Sequence, residues 1–287
     1  MSASAETRTA SPAEPAAAAD VARGEAAVGR GFSPGKPAGY AGLVWTLVRT
    51  DFKVRYHGTA GGFVWALLRP LTMFALLMGV FSFLFASDPN YKLNLIIGLF
   101  LWDFFAEGTK AGLMSLDARG FLLTKARCPA WVLVVTSMSN ALITLVVFTV
   151  IIITFLVGAG RPPSPAAIVL FLGYAAALVL IVAGFSLAAS VLFLRYRDLN
   201  QVWDLAAQAG FFVAPIIYPI AILPERYHIY LYFWPPTPII QFARSVLVDG
   251  RVPTMTAHAY LAAAVVLSLT AGALVYRRLA PRAAEYL

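Results

Sequence analysis

The chain has 287 residues, of which 60% are hydrophobic and 13% charged, with a mean hydropathy of +0.76. Soluble domains carry about 45–50% apolar and about 25% charged residues, so this composition excludes an ordinary soluble globular protein, a disordered chain and a disulfide-stapled one. The formal net charge of +8 does not point to nucleic acid, because the cations lie in short loops between apolar runs, where they set membrane orientation.

Residues 1–38 are rich in Ala, Pro and Gly, have Phe32 as their one aromatic, and are predicted to be a disordered cytoplasmic tail. Gly35-Lys36 resembles the end of a phosphate-binding loop, but Arg30 stands where its first glycine belongs and Pro37 replaces the Ser/Thr. The stretch Tyr40–His57 mixes Leu43, Leu47, Phe52 and Val54 with Arg49, Lys53 and Arg55. That is too charged to cross a membrane and too apolar for water, which predicts an interfacial helix.

A crossing takes about 20 mostly apolar residues. Five stretches qualify, and 93–113 becomes a sixth if Asp103, Glu107 and Lys110 are tolerated within it. Charge decides the matter. With six crossings one side holds Arg49, Lys53, Arg55, Arg69, Arg119, Lys125, Arg127, Arg195, Arg197, Arg277, Arg278 and Arg282, while the other holds Lys92, Arg161, Arg226, Arg244 and Arg251. Omitting 93–113 abolishes this bias, and positive charge marks the cytoplasm. The prediction is an all-α integral membrane protein, residues 39–287, with both termini cytoplasmic and crossings near 63–87, 93–115, 130–158, 166–194, 202–220 and 256–277. The segment 220–255 carries Pro224, Pro235, Pro236 and Pro238 before an apolar run too short to cross, which fits re-entrant half-helices on the outer side.

Charges at bilayer depth cost roughly 2.5–3.5 kcal/mol each, so they face a cavity or one another. Asp103, Glu107 and Lys110 follow at spacings of four and three on one helical face. They are read either as a polar stripe along a translocation path or as a self-neutralising Glu107–Lys110 pair with Lys110 reaching the cytoplasmic edge. Aromatic rings can line a path with apolar surface and no charge. Phe104, Phe105, Phe211 and Phe212 are the candidates for such a lining, with at most one ring of each adjacent pair able to face the path.

No catalytic set appears: no Ser/His/Asp arrangement, no His-Glu-x-x-His, and no paired carboxylates outside the Asp103–Glu107 stripe. Cys128 is alone, which excludes an intrachain disulfide and a cysteine-based metal site. His57, His228 and His258 lack ligand spacing, so no metal site is expected.

Arg55-Tyr56, Gly62, Trp65-Ala66-Leu67-Leu68 and Pro70-Leu71 resemble the lead-in to the first crossing of type-2 ATP-binding-cassette (ABC) exporter permeases. The branch is the one that exports lipid-linked polysaccharides such as O-antigen, teichoic acid or cell-wall galactan. Arg195-Tyr196-Arg197-Asp198, Pro215-Ile216-Ile217-Tyr218-Pro219 and Pro224-Glu225-Arg226 carry the more specific likeness. Arg69, where an uncharged polar residue is usual, and Trp234, where Asn is usual, depart from it.

The resemblance implies a homodimer in the bacterial plasma membrane, docked on two copies of a separate ATPase that holds ATP and Mg. This chain then carries no cofactor and performs no chemistry. The resemblance also implies a coupling helix over 117–128, closed by Pro129. Within it Phe121, Leu122 and Leu123 form an apolar patch that needs a partner. Asp117, Arg119, Lys125 and Arg127 flank that patch, and Arg195, Arg197 and Asp198 form a second loop that the ATPase is expected to touch. The bland reading of these cations is orientation alone, with Asp198 pairing to one of the arginines. The rival functions are an integral-membrane glycan-assembly enzyme, a secondary transporter, and the same family carrying a drug or a lipid.

Overall fold

The computed structural model describes residues 37–56, 61–86, 88–119 and 129–283. The tail expected at 1–38 lies almost wholly outside the described residues. Two compact units divide the chain, residues 1–46 and 47–287. In the first unit the described residues open helix α1 (Pro37–Tyr56), where Thr46 Oγ1 donates to the Gly42 carbonyl at 2.9 Å.

The second unit contains α2 (Val64–Phe81), α3 (Tyr91–Leu113), the single turn α4 (Ser115–Ala118), α5 (Ala130–Ser137), α6 (Ser139–Gly158), α7 (Pro165–Arg195), α8 (Leu199–Val213), α9 (Glu225–Tyr232), α10 (Pro236–Leu247) and α11 (Met255–Ala283). No strand occurs among the described residues. Among the described residues four helices are long and apolar enough to cross a membrane: Val64–Phe81, Trp131–Gly158 (α5 and α6 joined through Met138), Pro165–Arg195 and Met255–Pro281. The 23 residues of α3 reach about 35 Å, a full bilayer core, and only its charges set it apart from those four. Helix α8 has 15 residues, and its course is then broken.

Helix α3 is the axis of the bundle. From Leu95 to Leu101 every side chain is buried, as expected of a helix apolar all round. It packs on α2, α6, α7, α8 and α10. Inside it Phe100 stacks on Phe148 of α6, with centroids 4.2 Å apart. The longest helices, α7 and α11, make the most extensive pairing. A Cβ at Gly184 or Gly272 would run into the backbone of the facing helix. These small residues therefore let two backbones approach closely, which substitutes for the hydrophobic drive that lipid does not supply.

The break after α8 is satisfied by side chains. The Tyr218 hydroxyl reaches the carbonyls of Phe212 (3.1 Å) and Val213 (3.3 Å), the exposed last carbonyls of α8. His228 Nε2 donates toward the carbonyls of Ile220 (3.1 Å) and Leu223 (2.9 Å). Non-helical backbone is tolerated in a membrane protein where such partners exist.

Candidate functional site: a charged cavity between three helices

Helices α2, α3 and α8 enclose a cavity of about 870 Å³. Arg69 enters from α2, Asp103, Glu107 and Lys110 from α3, and Asp204 from α8; Trp65, Trp203 and Met114 add apolar surface. The three α3 residues thus share one face, as their spacing predicts, and the face meets a cavity. Lys110 Nζ lies 2.5 Å from both carboxylate oxygens of Asp204. Of the two sequence readings, one paired Lys110 with Glu107 on its own helix, and neither found Asp204, a lone acid at the start of an apolar run and 94 positions from Lys110. Pro70, beside Arg69, removes the helical donor for the carbonyl of Ala66, another residue of the cavity wall.

The aromatic candidates separate. Phe104 and Phe105 are 1% and 2% exposed, so neither ring lines a path; this corrects the expectation for both. A buried helix turns all its aromatics into core, and Phe105 joins Trp102, Trp203 and Trp234 at centroid separations of 5.5, 6.2 and 5.9 Å. Phe211 is half-buried and meets Trp102 edge-on at 5.7 Å, whereas Phe212 is 63% exposed. Trp203 Nε1 donates to Thr109 Oγ1 at 3.1 Å, which fixes α8 against α3 behind the cavity. Trp234, the departure from the usual Asn, lies against Gly210 of α8, where a Cβ would collide with its ring.

At the end of the bundle where α3 finishes, two ion pairs tie separate segments together. Arg119 pairs with Asp51 of α1 and donates to Thr136 Oγ1 of α5 at 2.8 Å. On α1, Leu47, Val48, Asp51 and Phe52 are half-buried while Arg49, Lys53 and Val54 are exposed, the period of a helix with one face covered. Burial raises the Asp51 carboxyl above the usual range, and the Arg119 charge works against that rise. Arg197 pairs with Asp117 on α4 rather than with its neighbour Asp198, which sits at the start of α8. The guanidiniums of Arg195 and Arg197 lie 5.3 and 5.7 Å from the ring centres of Tyr196 and Phe193. Phe121, Leu122, Leu123, Lys125 and Arg127 lie outside the described residues.

At the opposite end Arg244, counted in sequence as an outer-loop cation, is instead buried. Its Nε donates to the Asn94 carbonyl at 2.8 Å, its Nη1 to Pro215 at 2.6 Å and its Nη2 to Ile216 at 2.9 Å. Gly98 makes room for it, since a Cβ there would meet the guanidinium. One side chain of α10 thus clamps the first turn of α3 to the broken end of α8. Nearby, burial raises the Asp249 carboxyl, the Arg251 charge opposes this, and the Asp88 charge adds to it. His258 Nδ1 approaches the Thr254 carbonyl at 2.9 Å, leaving Nε2 to accept from the Tyr174 hydroxyl at 2.8 Å. No group of three or more metal-type ligands occurs among the described residues.

Comparison with known proteins agrees with this architecture. The family model described as "ABC-2 type transporter" matches residues 42–248. The O-antigen export system permease protein RfbA of Myxococcus xanthus is 26% identical over 250 residues, covering 83% of this chain and 92% of that protein. A Klebsiella pneumoniae protein of the same name is 27% identical over 209 residues, covering 72% and 81%. The polysialic acid transport protein KpsM of Escherichia coli is 19% identical over 238 residues, covering 82% and 92%. A bundle of membrane-length helices around a charged cavity, matched over most of its length by one family model, makes this chain a transporter component and a member of the ABC-2 type transporter family.

Proposed function

We propose that this chain is the membrane subunit of an exporter that moves a lipid-linked polysaccharide from the cytoplasm to the outer face of the bacterial plasma membrane. The observation that carries this reading is the cavity between α2, α3 and α8, lined by five ionisable side chains, three of them on a helix otherwise buried in apolar contacts. Groups so costly in lipid persist where they line a wet path. The curated relatives are named for polysaccharide export, which supplies the cargo class.

In this reading α3 and α8 complete six crossings, both termini are cytoplasmic, and two copies form the passage. A separate ATPase binds ATP and Mg and docks at the end carrying the Asp51–Arg119 and Asp117–Arg197 pairs. Only that partner distinguishes nucleotide states, so it supplies the differential energy. The ion pairs would pass its motion to α1 and α8 together. The glycan is held weakly at many places rather than tightly at one.

Deleting the gene and following lipid-linked glycan tests the reading. Export predicts loss of surface glycan with accumulation of the lipid-linked form on the cytoplasmic face, restored by the wild-type chain. It also predicts that a cytoplasmic ATPase co-purifies and that the chain alone hydrolyses no ATP. Unchanged surface glycan in the deletion strain rules the cargo out.

A further inference from the structure

A second cavity, of about 160 Å³, lies at the end of the bundle opposite the Arg119 ion pair, under α10. It is bounded by the lead-in and first turn of α3, the broken segment after α8, and α10 with the turn that follows it. Three buried polar atoms lining it have no hydrogen-bond partner among the described residues: the Tyr91 hydroxyl, Asn94 Oδ1 and Gln241 Nε2. Tyr91 is only 4% exposed. Leaving such a group unmatched costs about 1–3 kcal/mol, and structures rarely leave three around one space unless something else satisfies them.

The lining defines the occupant. The set holds a hydroxyl, an acceptor and a donor, with the carboxylates of Asp88 and Asp249 alongside. An anion is disfavoured: two carboxylates line the space, and the one cation at its floor, Arg244, already spends Nε, Nη1 and Nη2 on backbone carbonyls. A metal ion is disfavoured by the amide donor of Gln241 and by that same guanidinium. A single water needs about 10–15 Å³ of such volume, so the space is roughly tenfold too large for one. What matches is a set of groups that are each both donor and acceptor: several waters, or an uncharged molecule carrying several hydroxyls that displaces them.

We infer that this cavity is a subsite for one neutral sugar unit, formed by Tyr91, Asn94 and Gln241 with the carboxylates of Asp88 and Asp249. The binding stands on the cavity alone; its role, to hold a unit of the glycan as it emerges beneath α10, rests on the export reading. Because the subsite joins α3, the broken segment after α8 and α10, its occupant touches the three elements that Arg244 clamps.

The test uses the full-length chain in lipid nanodiscs without any ATPase. Saturation-transfer NMR is recorded with methyl glycosides of galactose, glucose, mannose and rhamnose, with methyl glucuronate as the anionic probe and glycerol as background. At least one neutral glycoside shows transfer above glycerol and above the glucuronate. Tyr91→Phe and Gln241→Leu each weaken that binding about fivefold or more, the effect of one lost hydrogen bond, while Leu267→Ala on the exposed face of α11 does not. Tyr91→Phe deletes only a hydroxyl that has no hydrogen-bond partner among the described residues, so the fold tolerates it; Gln241→Leu gives an independent reading.

Absence of transfer from every neutral glycoside, stronger transfer from the glucuronate, or transfer indifferent to both variants overturns the subsite. Sugar binding in a chain whose deletion leaves surface glycan intact retires the export reading and keeps the subsite. Export without sugar binding does the reverse.

Discussion

Lys110 of α3 and Asp204 of α8 are ion-paired across the mouth of the charged cavity, with Nζ 2.5 Å from either carboxylate oxygen. The pair joins a helix buried on nearly every side to one that ends in a break, and it does so with side chains 31% and 58% exposed. Exposed pairs contribute about 0.2–1 kcal/mol, so this one guides position more than it holds the fold together. Lys110→Ala and Asp204→Ala are expected to leave membrane levels within twofold of wild type and to lower export. The exchange Lys110→Asp with Asp204→Lys recovers more export than either single reversal. Quantitative immunoblotting beside a surface-glycan assay checks this, and equal failure of the exchange and the single reversals counts against the pairing.

The Asp51–Arg119 pair predicts an asymmetry. The Asp51 carboxyl is raised above its ordinary range, burial outweighing the arginine. A raised folded-state value means the group favours folding below its unfolded pKa, and that contribution is lost as pH rises through the folded value. At neutral pH the carboxylate is therefore a net cost. Asp51→Asn is expected to be near neutral for thermal stability at pH 7, whereas Arg119→Met leaves a partly buried acid unmatched and destabilises by about 1–3 kcal/mol. Melting curves of the purified variants followed from pH 7 downward separate the two, and the Arg119→Met deficit shrinks as the pH falls and Asp51 takes up a proton.

Arg244 satisfies three backbone carbonyls at once, two of them in the break after α8. Arg244→Met is expected to cost about 3 kcal/mol or more, since the Pro215 and Ile216 carbonyls lose their donor and the Asn94 carbonyl keeps only its helical one. Arg244→Lys recovers little, because an ammonium cannot reproduce the planar fork. Gly98→Ala is expected to resemble Arg244→Met, as the new methyl group meets the guanidinium. Fluorescence-detected size exclusion after heating ranks the three variants; a wild-type profile for Arg244→Met would show that the clamp does not hold the break.

Adjacent aromatics give a further contrast. Phe105→Ala empties part of a Trp-rich cluster and is expected to destabilise by about 3–5 kcal/mol. Phe212→Ala removes an exposed ring, so stability holds while export changes if that ring meets the glycan. Loss of export in Phe105→Ala is then explained by low protein levels, and the two assays together sort core from path.

Much of the candidate site was legible in the sequence because charge is expensive in lipid. Asp103, Glu107 and Lys110 announce a cavity by standing together in an apolar helix, and their common face follows from helical spacing alone. Asp204 and Trp203 were not legible as members, since nothing local says which helix lies opposite. Phe104 and Phe105 misled for the same reason: a hydrophobic ring reads alike whether it faces a path, a lipid or a neighbouring helix.

The sequence by itself determined an all-helical membrane protein with a basic end, because crossing length, apolar content and the placement of Lys and Arg are one-dimensional quantities set by the bilayer. Only the tertiary structure decided that Lys110 meets Asp204, that Arg119 holds Asp51, and that Arg244 is buried as a clamp rather than exposed in a loop. Those pairings join residues between 28 and 150 positions apart. They depend on which helices pack side by side, and in lipid that choice is made by close approach at small residues and by hydrogen bonds, which hydropathy does not register.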